Sequence, residues 1–296
     1  MAAITDNIDT IAGTGKAIAG TMSEVKKKQG NIQNRIRIAI CSEQRRSIID
    51  ALWERKKGLS ALRKELAVSS TSAIHTLRDL EKNKIVFEDE DRNYGLTKIG
   101  EIIALKLVDM VDTLEVLHKH DEFWLTHDLS GIPTHLMEKI GWLKDSMIIA
   151  DTPADFFKSH TTLLQVLENA NELKGIYPIF QLDYLEKVEE LVRSQRIDVE
   201  LIVTNEVLDN IVGMAETEES FKIFLQEPNF TLFALEEDLK IALTLTDSAF
   251  YLGLFAGSGI YDYNKALISD DKRALSWGRE LYAHYHQRSK VVDLWT

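Results

Sequence analysis

Ser60-Ala61-Leu62-Arg63-Lys64-Glu65-Leu66-Ala67-Val68-Ser69-Ser70-Thr71-Ser72-Ala73-Ile74-His75-Thr76-Leu77-Arg78-Asp79-Leu80 holds two short helical patterns joined by a tetrapeptide. Ser60 is placed to cap a helix from Ala61 to Leu66, because its hydroxyl accepts an otherwise unpaired first-turn N–H. Ala67-Val68-Ser69-Ser70 follows, and Ser70 or Thr71 opens a second helix with Ile74, Leu77 and Leu80 on one face. Upstream, Ile48, Ile49, Leu52 and Trp53 recur at helical spacing after Ser42, and Gly58 is expected to stop that segment. Downstream, Ile85 to Glu88 and Asn93 to Leu96 flank Asp89-Glu90-Asp91-Arg92 and read as a hairpin. Three short helices followed by a hairpin describe a winged helix-turn-helix, whose third helix offers its polar face to the DNA major groove.

On that third helix Ser69, Ser70, Thr71, Ser72, His75, Thr76 and Arg78 fall on or near the outer face. Small hydroxyl residues at a helix N-terminus suit phosphate, since the free N–H groups and the positive end of the dipole favour an anion there. His75, Thr76 and Arg78 are longer and reach toward base edges, and Arg is the commonest reader of guanine. Arg63 and Lys64, with Arg45, Arg46, Arg55, Lys56 and Lys57, put positive charge where backbone phosphates would lie. The wing tip Asp89-Glu90-Asp91 is acidic, which leaves Arg92 as its one residue suited to a minor groove. A solvated helix face, used for protein contacts alone, is the plainer alternative.

The chain has 296 residues and a formal charge of −12, a balance that argues against nucleic acid until it is divided. Residues 1–100 carry 18 Lys and Arg against 13 Asp and Glu, a net of +5, and residues 101–296 carry 17 against 34, a net of −17. A basic end is joined to an acidic body. The single cysteine, Cys41, excludes an intramolecular disulfide and every multi-cysteine metal site, and reads as a small buried apolar side chain. No apolar run approaches the length needed to cross a bilayer, and Asp6, Asp9 and Lys16 lie where a signal peptide would be apolar, so a cytoplasmic protein without a membrane partner is expected.

Four segments follow: an N-terminal arm or weak helix over 1–40, the winged helix-turn-helix over 41–97, a linker or dimerisation helix over 98–120 capped by Thr97, and an α/β body over 121–296. In the last, strands are expected at Met147 to Ile149, Gly175 to Phe180, Val199 to Thr204, Thr231 to Leu235, Ile241 to Thr246 and Phe250 to Phe255. Helices are expected at Ala154 to Asn169, Asp183 to Ser194 and Asp271 to Lys290. The fold class is thus a two-domain α+β and α/β chain with a mixed sheet in its C-terminal domain.

The acidic body shows no catalytic constellation: no HExxH, nucleophile elbow, P-loop, G-x-G-x-x-G or H-x-K-x4-D is present. His118 with His120, and His284 with His286, are two residues apart and diverge on a helix, which disfavours a metal site. Gly257-Ser258-Gly259 reads as a turn. Neither enzyme activity nor a cofactor is expected.

With Leu77-Arg78-Asp79-Leu80-Glu81 before the wing and Tyr94-Gly95-Leu96-Thr97-Lys98-Ile99-Gly100 after it, the N-terminal part resembles the winged-helix domains of archaeal regulators of the arsenical-repressor type. The remainder is similar to the FilR-type methanogenesis regulatory domain. Its matching stretches run from Phe123 to Pro133, Gly175 to Phe180, Leu252 to Phe255 with Tyr261-Asp262, and Leu275 to Tyr282. Ser258-Gly259-Ile260 departs from the Asp-Gly expected before Tyr-Asp. The resemblance implies a transcriptional regulator that binds double-stranded DNA and carries a C-terminal effector or dimerisation domain.

A homodimer is expected, because one winged helix covers one half-site. A small-molecule or protein effector would bind among Trp124, Tyr177, Phe255, Asp262 and Trp277. The alternatives are a protein-protein adaptor that uses the winged helix without DNA, and an enzyme acting on a small molecule in the α/β body.

Overall fold

The Ser42 hydroxyl accepts the N–H of Arg45 at 3.4 Å and starts the first helix of the computed structural model, which describes residues 42–195 and 197–293. The N-terminal arm and Cys41 lie outside the described residues. Contacts divide the chain into two units between Met110 and Val111.

In the first unit, α1 (Glu43–Glu54) buries Ile48, Ile49, Ala51 and Leu52 but leaves Trp53 exposed. Gly58 does not stop this helix. The chain turns extended at Arg55, and Gly58, with φ −73°, lies in the short strand β1 (Lys57–Gly58), which pairs with a strand that follows it in sequence. Helix α2 (Leu59–Leu66) begins one residue before Ser60, so Gly58 rather than Ser60 occupies the N-cap, and no side chain caps it. Ala67 then adopts φ 52°, a left-handed conformation that reverses the chain, and the Ser69 hydroxyl accepts the Ser72 N–H at 3.2 Å to open α3 (Ser70–Lys82).

Strands β2 (Val86–Glu88) and β3 (Asn93–Leu96) form the expected hairpin, and the sheet order is β1-β3-β2. Thr97 caps the long helix α4 (Lys98–Lys119) through the Gly100 N–H at 3.0 Å. A Cβ on Gly100 would stand 2.0 Å from the Ile85 carbonyl oxygen, so only glycine lets the helix start this close to the hairpin.

The division between units falls inside α4. Ala104 and Leu107 join the core of the first unit with Leu62, Leu77 and Leu80, and Val116 joins a core of the second. Residues read from sequence as a separate linker are therefore shared.

The second unit is built on a nine-stranded mixed sheet. Strands β4 (His127–Asp128), β5 (Met147–Ala150), β6 (Glu172–Tyr177), β7 (Asp198–Thr204), β8 (Phe230–Leu235), β9 (Ile241–Thr246), β10 (Phe250–Ala256), β11 (Tyr261–Ser269) and β12 (Lys290–Val291) are ordered β12-β8-β7-β6-β9-β10-β11-β5, with β4 added to β10. Only β6, β7 and β8 run parallel to one another. The helices of this unit are α5 (Asp121–Thr126), α6 (Thr134–Met137), α7 (Lys158–Glu168), α8 (Leu182–Glu190), α9 (Asn205–Thr217), α10 (Glu219–Phe224) and α11 (Lys272–His286).

Alternation along the strands sends Ile176, Ile202, Leu243 and Leu252 to a face packed with Trp277 and Leu281 of α11. Leu173, Val199, Leu201 and Tyr251 go to the other face with Leu163, Tyr184 and Ile211. Several expected boundaries move. β6 ends at Tyr177, before Pro178, rather than at Phe180; α7 starts at Lys158 rather than Ala154, because Thr152 and Asp155 close a turn first; α11 ends at His286 rather than Lys290.

Asp112, on the second half of α4, is buried between Lys144 at 2.9 Å and Arg273 at 2.7 Å. Burial pushes its carboxyl up, yet the bonds from the two cations outweigh this and hold it below the ordinary 3.8. A carboxyl depressed in the folded state stabilises the protein above its unfolded value, about 3.9, and that contribution disappears as pH falls through the folded value. Asp112→Asn is therefore expected to lower stability at pH 7 and to flatten the loss of stability below about pH 4 in urea titrations; an unchanged acid limb would show that the triad carries no linkage.

Candidate nucleic-acid interface

Residues 71, 75, 78 and 82 are separated by four, three and four positions, a spacing that keeps side chains on one stripe of a helix. In α3 they are Thr71, His75, Arg78 and Lys82, and all four are exposed. Lys82 escaped the sequence reading because it lies in the last turn, away from the hydroxyl-rich start.

The other residues expected on this face are engaged within the unit. Thr76 is only 6% exposed and packs with Ala73, Leu77 and Leu80, so it cannot read a base in this arrangement. Ile74, expected inside, is half-buried, and the small Ala73 takes its place in the core. Ser69 is the cap, Ser70 is half-buried, and the Ser72 hydroxyl donates to Gln44 Oε1 at 2.8 Å. The arrangement leaves one polar stripe of four long or medium side chains beside a capped N-terminus.

Of the basic residues on and between the first two helices, several are committed internally. Arg45 pairs with Asp79, and Lys57, only 5% exposed, bonds Glu65 at 2.8 Å and Glu54 at 3.2 Å. The Glu65 bond keeps its ammonium above the ordinary value. Lys56 reaches Asp89 at 3.1 Å and lies 5.0 Å from the centre of the Phe87 ring. Arg55, Arg63 and Lys64 are exposed and have no ion-pair partner among the described residues.

The hairpin is less acidic in effect than in sequence. Asp89 accepts the Asn93 N–H at 2.9 Å, which with Lys56 holds its carboxyl below the ordinary value, so its charge is spent on the turn. Glu90, Asp91 and Arg92 remain exposed at the tip, and Arg92 adopts φ 59°.

The five residues expected to form an effector site are not brought together around a cavity. Trp124 Nε1 donates to the Val116 carbonyl at 3.1 Å and Trp277 Nε1 to the Leu136 carbonyl at 2.9 Å; both rings are core. Tyr177 is buried with its hydroxyl on Thr244. Phe255 lies beside Lys240 and the edge of Tyr261, and Asp262 bonds His127 Nε2 at 3.1 Å.

Tyr177 alone of the five borders a small cavity of about 20 Å³, and two larger cavities lie elsewhere in the second unit. One of about 670 Å³ includes His135, Glu237, Lys240, His284 and Arg288, whose charges are matched by the pairs Arg288–Glu237 and Lys240–Asp238. The other, of about 320 Å³, lies between α7, the start of α8 and strands β10 and β11. Among the described residues no three His, Cys, Asp or Glu side chains are placed to hold a metal ion, and no helix is long and apolar enough to cross a membrane.

Residues 33–115 match the N-terminal domain, and residues 156–288 the middle domain, of the methanogenesis regulatory protein FilR1. FilR1 of Methanothrix harundinacea (strain 6Ac) is 30% identical over 266 residues, which cover 88% of this chain and 58% of that protein. The chain thus spans a little over half the length of the curated relative it matches. Among solved structures, TrmBL2, an archaeal chromatin protein described with a novel mode of DNA binding, aligns at a TM-score of 0.40 with 15% identity, over 84% of this chain and 94% of that one. NucT from Helicobacter pylori aligns at 0.37 with 15% identity, over 49% and 96% respectively. At these scores neither alignment carries weight for function.

Proposed function

We propose, from the matches of residues 33–115 and 156–288 to the N-terminal and middle domains of FilR1, that this chain is a FilR-type, DNA-binding transcriptional regulator. The reading takes α1 to α3 with the hairpin as a winged helix-turn-helix, α3 as the helix that enters the major groove, and the second unit as a sensor. Thr71, His75, Arg78 and Lys82, exposed on one stripe of α3, carry this proposal. His75 and Arg78 would meet base edges, while Arg63 and Lys64, at the end of the preceding helix, would meet phosphates. Thr76 has no part in reading bases, and Ser69 and Ser70 would act through the backbone amides they order.

The acidic second unit repels DNA, which directs contact to the basic end. A dimer would be formed through α4, where Ile102, Leu105 and Leu114 are more than half exposed. An effector that changes the separation of two recognition helices would then change affinity.

Salt dependence separates this reading from an adaptor that uses the same helices for protein contacts. Each phosphate contact releases counterions, so log affinity should fall steeply with log salt, and Lys64→Ala should reduce that slope by about 1 while weakening all sequences to a similar degree. A slope near zero on duplex DNA would favour the adaptor.

A further inference from the structure

Asp151 follows strand β5 and accepts the Ser159 N–H at 2.8 Å through Oδ1, in the first turn of α7. Its second oxygen has no partner among the described residues, and no Lys or Arg pairs with it. Ser159, 1% exposed, in turn bonds the Tyr251 hydroxyl at 2.8 Å and so ties together Asp151 and Tyr251, two residues that line the 320 Å³ cavity. The cavity lining also includes Asp183, bonded at 2.6 Å to His160. No Lys or Arg lines the cavity.

Four aromatic rings, Phe156, Phe157, Tyr261 and Tyr263, line it together with Leu163 and the amides Gln181 and Asn264. Tyr261 and Tyr263 stand edge to face, with ring centres 4.8 Å apart and planes at 82°. Phe156 and Phe157 border the opening, 69% and 71% exposed, although neither position is otherwise required to face water. The Tyr261 hydroxyl has no hydrogen-bond partner among the described residues, and burial raises the phenols of both Tyr251 and Tyr261, so both stay neutral. Gly253 makes room for this ring: a Cβ there would stand 2.0 Å from the Tyr261 hydroxyl oxygen.

A carboxylate without a cation, set among ring faces and edges that meet at right angles, is the arrangement that recognises an organic ammonium ion. The ring faces attract the diffuse positive charge, the carboxylate supplies a full opposite charge, and a cavity of this size excludes a macromolecule. An anion would meet two carboxylates and no Lys or Arg. We propose that the cavity between α7, α8 and β10–β11 binds a small quaternary or methylated ammonium compound, with Asp151 as counter-ion and Phe156, Phe157, Tyr261 and Tyr263 as its cage. This deepens the sensor role proposed above and rests on it only for the effect on DNA; ligand binding is measured without DNA, so the two readings fail separately.

The test is calorimetric titration of the full chain with choline chloride and, in parallel, with its neutral isostere 3,3-dimethylbutan-1-ol and with glucose. Saturable binding of choline alone is expected. Asp151→Asn, which keeps the oxygen that caps α7, and Phe156→Ala, at an exposed position, should each weaken it about tenfold or more. Gly253→Ala should weaken it by moving Tyr261, and thermal melting of each variant checks that the unit is folded. Equal binding of the isostere, binding of glucose in place of choline, no saturation with choline, or variants that bind as the parent does would each overturn the proposal.

Discussion

Replacing Trp277 by Ala is expected to destabilise the second unit by about 3–5 kcal/mol, the largest effect of any single substitution considered for this chain. The ring is fully buried, meets Phe250 edge to face with centres 5.7 Å apart, and donates its N–H to the Leu136 carbonyl at 2.9 Å. Truncation therefore leaves a cavity and removes one of the hydrogen bonds to that carbonyl, which keeps the Lys139 N–H at 3.0 Å. Domains of this kind are stable by only about 5–15 kcal/mol, so the loss should be plain in urea denaturation and in soluble yield. The same measurement decides what Trp277 is for. If it lined an effector site rather than the core, truncation would leave the denaturation midpoint close to the parent and change ligand affinity instead.

Arg78→Ala should weaken binding to a specific duplex by about 1–3 kcal/mol, or roughly 5- to 150-fold, with a much smaller effect on unrelated DNA. Arg78 is exposed and is flanked on the same stripe by His75 and Lys82, so removing it alters the reading face without a cost to the core. The contrast with Lys64→Ala is the informative part. A base-reading residue changes the ratio of specific to nonspecific affinity, whereas a phosphate-binding one lowers both. Fluorescence anisotropy on matched and scrambled duplexes gives that ratio, and a ratio unchanged by Arg78→Ala would remove this residue from base reading.

The local signals that survive in the structure are those with a single physical cause. The Thr97 hydroxyl caps the helix it precedes, and the hairpin is where two β-prone runs flank a charged turn. Gly58 misled because glycine also serves where two backbones come close: it pairs with Asn93 in a strand too short to show a period. The inner stripe of α3 misled through size, since Ile74 is the more apolar residue but Ala73, Thr76, Leu77 and Leu80 share the buried face at helical spacing.

Strand β11 was missed for a related reason. Its first half, Tyr261-Asp262-Tyr263-Asn264, is polar and aromatic at alternate positions and reads as a loop until β10 and β5 are placed beside it. That half also builds the aromatic cavity, so the candidate site went unread with it.

Counting charge located the basic end but not its usable charges. Lys57 and Arg45 count toward the net of +5 yet are consumed by Glu65 and Asp79, partners remote in sequence. The cavity draws on separated segments, among them those of Asp151, Phe157, Asp183, Tyr251 and Tyr263, that no spacing rule connects. The glycines in the stretches carrying the family resemblance, in contrast, have a direct physical account. Gly175 leaves room for the Tyr177 ring, Gly253 for Tyr261 and Gly278 for Phe250, each at a distance where a Cβ would collide.

Sequencing of duplexes recovered from a random double-stranded pool by the full chain tests the central claim most directly. The account predicts enrichment of one motif by the parent protein and relaxed preference within that motif for Arg78→Ala. Recovery of no motif, or the same motif with equal strictness from both proteins, would contradict it.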